Sequence, residues 1–174
     1  RIHMSRLKFY DIDENYIDYL KTFDHQVPNI RYNKFNKFFC GIVLQVGQYN
    51  YFAPVTSLTK QQRTNFLIYD KGRVISSIRF SFMIPAFPEV LTLKDFSKQP
   101  QTYRDLLNAE IKYCNQKVDK IYKKAKQVYK IGTNRSHPLS YTCCDFKLLE
   151  EKSLKYLLEI TKSQVAATDE DQTP

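Results

Sequence analysis

The residues best suited to chemistry fall within Tyr49 to Lys60, which reads Y-N-Y-F-A-P-V-T-S-L-T-K. Thr56, Ser57 and Thr59 bring hydroxyls and Lys60 an ammonium, all within five positions. Each can donate a hydrogen bond to a phosphate oxygen, and the ammonium can offset charge that develops there. The same residues also make an ordinary polar turn after a strand. Of the three histidines, His3 lies in a tag-like start, and His137 is a candidate acid without an evident histidine partner, which also reads as a surface-loop residue.

Other chemistries find less support. No Walker loop, G-x-G-x-x-G or H-E-x-x-H is present, and the acidic residues are scattered rather than grouped to hold Mg²⁺. The cysteines Cys40, Cys114, Cys143 and Cys144 form no C-x-x-C pair and read as reduced, mostly buried thiols of a cytoplasmic protein. A net charge of +9 with 13 Tyr and 12 Phe in 174 residues suits a partner that offers phosphates and bases. No long apolar run points to a membrane, and no secretory signal opens the chain. RNA can be cut without a metal, because its own 2′-hydroxyl attacks the adjacent phosphate. The protein then has to move that proton and stabilise the extra charge, work that a Lys–Ser/Thr–Tyr group can do.

These side chains need elements to position them. Tyr49 to Val55 is rich in aromatic and β-branched residues and reads as a strand, with Pro54 marking an edge or an end. Phe38 to Val46 is a nearly continuous apolar run, expected as a central strand that turns through Gly47 and Gln48 into a hairpin. Before it come a short strand at Leu7 to Tyr10, then a helix capped by Asp11 or Asp13, with Tyr16, Ile17, Leu20 and Phe23 on one face. Asn29 to Lys37 reads as a basic loop. Asp70-Lys71-Gly72 is a turn signal, and Arg73 to Ile84 reads as one long strand. From Leu107 to Val128 an apolar seam steps by fours and threes, predicting one long helix over about 103–131, with lysines on its other faces. A last helix starts near Asp145. The acidic residues 164–174 are expected to lack structure. The reading is a single α+β domain over 1–163, with residues 1–3 as a tag remnant.

Five segments in this order resemble the ToxN/AbiQ family, the endoribonuclease toxins of type III toxin–antitoxin systems. They are L-K-F-Y-D-I-D-E-N-Y-I-D-Y-L-K (Leu7 to Lys21), N-K-F-F-C-G-I-V-L (Asn36 to Leu44), Y-F-A-P-V-T-S (Tyr51 to Ser57), F-M-I-P (Phe82 to Pro85) and C-D-F-K-L-L-E-E-K (Cys144 to Lys152). The resemblance implies a compact antiparallel, barrel-like sheet similar to the MazF/Kid toxins, with added helices. It implies metal-independent cleavage of RNA at specific sequences, leaving 2′,3′-cyclic phosphate and 5′-hydroxyl ends, with no cofactor. It also implies inhibition by a pseudoknotted repeat RNA antitoxin in a closed alternating protein–RNA assembly, and a role in abortive phage infection. A non-catalytic RNA-binding protein is the alternative.

Carried over by residue, the resemblance places the active-site Thr/Ser pair on Thr56 and Ser57, the opening-helix tyrosine on Tyr16, and the basic residue before G-I-V-L on Lys37. The family's T-S-P-K is T-S-L-T-K here, which shifts the lysine to Lys60. Where the family often has Asn four residues before the Met of M-I-P, this chain has Arg79. The expected catalytic set is therefore Tyr16, Lys37, Thr56, Ser57 and Lys60. The expected RNA contacts are Arg31, Tyr32, Lys34, Arg79, Lys112, Lys120, Lys123, Lys124 and Arg135.

Overall fold

The computed structural model describes residues 6–31 and 35–171, so Tyr32 and Lys34 lie outside the described residues. A seven-stranded sheet is built from β1 (Lys8–Ile12), β2 (Phe39–Val46), β3 (Tyr49–Thr56), β4 (Asn65–Asp70), β5 (Arg73–Arg79), β6 (Ile84–Ala86) and β7 (Leu91–Leu93). All its pairings are antiparallel, in the order β4-β5-β3-β2-β1-β7, with β6 also on β3. The sheet is open, ending at β4 and β7, and does not close into the expected barrel. Four helices accompany it: α1 (Glu14–Lys21), α2 (Gln101–Gln116), α3 (Val118–Thr133) and α4 (Phe146–Asp171).

Local chemistry accounts for the connections. Asp13 caps α1, its side chain accepting from the Asn15 N–H at 3.0 Å. The β2–β3 hairpin turns through Gly47, whose φ of +58° suits a residue without Cβ. Lys71 and Gly72, both at positive φ, join β4 to β5 in the manner of a type I′ turn. Gly41 on β2 lets the Phe52 ring lie where a Cβ would stand, only 2.2 Å from its Cδ2. The core behind the sheet includes Phe39, Val43, Phe52, Ile78, Met83, Leu107, Ile121 and Phe146, all buried. The four cysteines are free and buried. Among the described residues, no helix is long and apolar enough to cross a membrane.

Three elements differ from their sequence reading. The long strand from Arg73 to Ile84 is β5 and β6, separated by a 3₁₀ turn at Phe80–Phe82. Both pieces pair with β3: Ile78 faces Val55 and Ile84 faces Phe52, so residues 79–83 bulge out opposite Ala53 and Pro54. The Val55 N–H reaches Phe38 O, just before β2, at 3.1 Å, so the Pro54 nitrogen faces the bulge, where no ladder bond is required. Pro54 therefore sits in a central strand without cost to the sheet.

The long helix over 103–131 is two helices that meet at Lys117, whose ψ of 25° departs from helical values. No Gly or Pro breaks it. Instead the Asn115 side chain is bonded to both the N–H and the carbonyl of Leu7, which ties the end of α2 to β1, while α3 turns to pack against β2 and the bulge. Of the tail expected to lack structure, residues 164–171 are helical, since α4 runs on to Asp171, and 172–174 lie outside the described residues. Gln164, Ala166 and Ala167 favour helix, and Thr161 and Thr168 each donate to the carbonyl four residues back.

One buried acid gives this core a pH dependence. Glu110 on α2 is 2% exposed and accepts from Ser76 Oγ at 2.7 Å, and its Oε1 has no hydrogen-bond partner. Burial raises its carboxyl from 4.5 to about 7, against the pull of the Ser76 bond and the Lys94 charge. A raised carboxyl stabilises the fold fully below its unfolded value, and that stability is lost as pH rises through about 7. Glu110→Gln is expected to remove this loss, which amounts to roughly 3 kcal/mol at most. Urea unfolding of both proteins at about pH 5 and about pH 8 measures it.

Candidate functional site

The ends of β3 and β5 lie side by side, with Val55 opposite Ile78 and Thr56 opposite Ser77. The segment before β2 passes close by, and between them opens a cleft of about 570 Å³. Lys37, Thr56, Ser57 and Arg79 all line it, brought together from three separate parts of the chain. Phe38, Val55 and Tyr103 give it an apolar floor, and Phe35 stacks on Tyr103 with ring centres 3.9 Å apart.

Each polar group is held by its element. Thr56 Oγ1 lies 3.3 Å from the buried Ser77 Oγ and accepts the Leu58 N–H at 3.4 Å, so its hydroxyl is fixed from below. Ser57, the next residue, is exposed. Arg79 stacks its guanidinium on Phe82 at 4.4 Å and donates to Gln62 Oε1 at 3.5 Å, while its Nε is buried without a hydrogen-bond partner. Lys37 is half-buried, and its N–H bonds Ile30 O at 2.8 Å. Desolvation lowers the Lys37 pKa, and the charges of Arg79 and Lys21 lower it further. Burial also lowers that of Arg79, though a guanidinium stays protonated. Among the described residues no carboxylate lines this cleft.

Two of the expected catalytic residues stand elsewhere. Tyr16 is 1% exposed, and its hydroxyl bonds Pro85 O at 2.5 Å and Ser153 Oγ at 2.7 Å, joining α1 to β6 and α4. Burial raises its pKa, and it packs in the core outside the cleft lining. Lys60 is exposed and outside the cleft lining, because Asn65 holds its loop from behind: Asn65 Nδ2 donates to Lys60 O, and Asn65 Oδ1 accepts from Gln62 N–H. His137 Nδ1 accepts the Leu139 N–H at 3.1 Å and so acts in its own turn.

The expected RNA contacts are dispersed. Arg31 pairs with Glu14 at 2.9 Å, and Arg135 with Asp145 at 3.3 Å. Lys112, Lys120 and Lys123 are exposed on α2 and α3. Lys120 and Lys124 lie with Lys117, Tyr69 and Tyr113 around a shallower cleft of about 310 Å³. Sequence reasoning missed Ser77, Phe35 and Tyr103, which no local pattern marks. It also missed a second cleft, of about 700 Å³, that shares Arg79 with the first.

The family model of the ToxN toxin of type III toxin–antitoxin systems matches residues 8–154. This chain belongs to the ToxN family. It is 31% identical over 159 residues to endoribonuclease ToxN of Pectobacterium atrosepticum, covering 84% of this chain and 91% of that protein. A solved type III toxin, described as selectively inhibited by a non-coding RNA pseudoknot, superposes with a TM-score of 0.80 at 25% identity, covering 87% of this chain and 98% of that one. The structure of AbiQ, described as a lactococcal anti-phage endoribonuclease, superposes at 0.77 with the same identity and coverage. The segments that resemble the ToxN family supply the walls of the first cleft through Lys37, Thr56 and Ser57.

The coupling of Lys37 to Arg79 can be measured. Arg79→Gln removes one of the charges that disfavour the Lys37 ammonium, so the Lys37 pKa is expected to rise towards 10.5. The Lys37 Nζ titration, followed by NMR with ¹⁵N-labelled lysine in both proteins, tests this. An unchanged midpoint would mean that the two cations do not share a field.

Proposed function

We propose that the cleft of Lys37, Thr56, Ser57 and Arg79 binds and cuts RNA without a metal, by attack of the 2′-hydroxyl on the adjacent phosphate. The observation that carries this is a pair of cations and a pair of hydroxyls converging on one cleft, with no carboxylate among its described lining residues. Such a donor set fits a phosphate diester and offers a divalent cation no hard oxygen anion.

Arg79, charged at every working pH, holds the non-bridging oxygens and stabilises the phosphorane. Lys37, with its lowered pKa, takes the 2′ proton through its neutral fraction. The 2′-oxygen–phosphorus bond forms as the phosphorus–5′-oxygen bond breaks. The leaving oxygen receives a proton through the Ser57 hydroxyl, which solvent replenishes. Thr56, fixed by Ser77, donates to a non-bridging oxygen. The products are a 2′,3′-cyclic phosphate and a 5′-hydroxyl. The role expected of Lys60 passes to Arg79 and Lys37.

The relatives' descriptions support an anti-phage endoribonuclease toxin held in check by a pseudoknotted RNA; the reading adds a cytoplasmic setting, cuts at specific sequences and an alternating protein–RNA assembly. The face around Lys117, Lys120, Lys124, Tyr69 and Tyr113 suits part of that RNA, since it offers ammonium groups beside aromatic rings.

The test is cleavage of a mixed RNA in EDTA with identification of the ends. Wild-type protein is expected to leave cyclic phosphates and 5′-hydroxyls. Ser57→Ala and Lys37→Arg, the latter keeping charge but losing the exchangeable base, are expected to slow it on the order of a hundredfold. Tyr16→Phe is expected to keep the rate while costing about 1–3 kcal/mol of stability through its lost buried hydrogen bonds. Ends bearing a 5′-phosphate, or full inhibition by EDTA, would overturn the mechanism.

A further inference from the structure

Arg79 lines two clefts, and only the first has been given a task. The second, of about 700 Å³, is bounded by Gln62, Arg63 and Thr64 from the loop before β4, by Ser81 and Phe82 from the bulge, and by His25, Tyr141 and Thr142 from two further loops. Its walls differ in chemistry from those of the first. A mainly apolar surface carries the amides of Gln26 and Gln62 and the hydroxyls of Thr64, Ser81 and Thr142, with Arg63 and Arg79 beside them, and among the described residues no carboxylate lines it. Tyr141 is 79% exposed at its rim, so its ring face is open to stacking by a ligand.

The cleft is also built rather than incidental. Gln26 Nε2 donates to the carbonyls of Tyr141 and Cys143 at 3.0 and 2.8 Å, and so ties that loop to the one after α1. Cys144 N–H donates to Ser81 O at 2.8 Å, and Phe80 N–H to Thr64 O at 3.2 Å, fixing the bulge against the opposite walls. Arg79 lies between the two spaces, with its buried Nε unpaired.

We infer that this second cleft receives the base of the nucleotide next to the scissile phosphate, stacked on Tyr141 and read by the amide and hydroxyl groups of its walls. The inference rests on the RNA-cleaving reading of the first cleft and adds a place where sequence is sensed. A phosphate held by Arg79 in the first cleft has its neighbouring nucleoside within one sugar's reach, and that same side chain also lines the second cleft. Unpaired bases are recognised in this way, by stacking on an aromatic ring and by hydrogen bonds to their edges.

The test uses the full chain, wild type and Tyr141→Ala, with Tyr141→Phe as the variant that keeps the ring. Because the ring is exposed, its removal leaves the fold intact. Each protein is given a random-sequence RNA pool, and the cut ends are sequenced. Binding of a fully 2′-O-methylated pool, in which no 2′-hydroxyl can attack, is measured alongside at physiological salt. Tyr141→Ala is expected to flatten base preference at one position beside the cut, and to weaken binding of the methylated pool roughly tenfold. Tyr141→Phe is expected to restore both. An unchanged cut profile together with unchanged binding would overturn the subsite. If the wild type cuts nothing, yet binding of the methylated pool depends on Tyr141, the subsite stands and the cleavage reading falls. If neither cutting nor binding depends on it, the subsite falls whatever the first cleft does.

Discussion

The site depends on one constraint in the sheet: β3 has to change partners along a single edge. Its first half pairs with β6 and its last two residues with β5, and the chain between those partners is too long for a regular ladder. The surplus is the bulge at residues 79–83, and Pro54 is the residue that faces it. Any other residue there would present an N–H to a gap in the ladder, and a buried unpaired donor is costly. With proline the gap has no donor to satisfy. The bulge then sets Ser81 and Phe82 beside Arg79, the last residue of β5, where loops from both sides meet them.

Several cations on the molecule, Arg31, Lys94, Arg135 and Lys147, have a carboxylate within 4.0 Å. At Lys37, burial raises the cost of holding the proton, and the like charges of Arg79 and Lys21 add to it. That arrangement makes the cleft a favourable place for an anion. A phosphate diester relieves the repulsion on entering, and the transition state, which carries more negative charge, relieves it further. On the proposed reading the same field attracts any RNA that approaches the cleft.

Much of this was legible in the sequence, and the reasons differ by element. Hairpins set by Gly47 and by Lys71-Gly72 follow from turn chemistry, and the cap at Asp13 from a side chain's reach. Lys37, Thr56 and Ser57 carried a family pattern, and they do meet. What failed were features fixed by distant contacts. An unbroken apolar seam from Leu107 to Val128 gives no hint that Asn115 is tied to Leu7. Periodicity cannot see a bulge whose cause lies on another strand. Tyr16 illustrates the limit of pattern alone: the residue type suits chemistry, but Pro85 and Ser153 take up its hydroxyl in the core. Composition also misled at the C-terminus, where acidity implied no structure although alanines and the absence of Gly before Pro174 favour helix.

The shifted lysine shows how the two clefts are linked. In T-S-L-T-K an extra residue separates Ser57 from Lys60, and the loop that results is gathered by Asn65. Bonds from Gln61, Gln62 and the Lys60 carbonyl all converge on that one side chain, so the loop folds back towards β4 and takes Lys60 out of the first cleft. The same fold brings Gln62 to Arg79, and Arg63 and Thr64 into the second cleft. The altered loop therefore does two things at once. It leaves Lys37 and Arg79 as the cations that line the first cleft, and it supplies a wall of the second. Because Arg79 lines both clefts, a substitution there alters the two together.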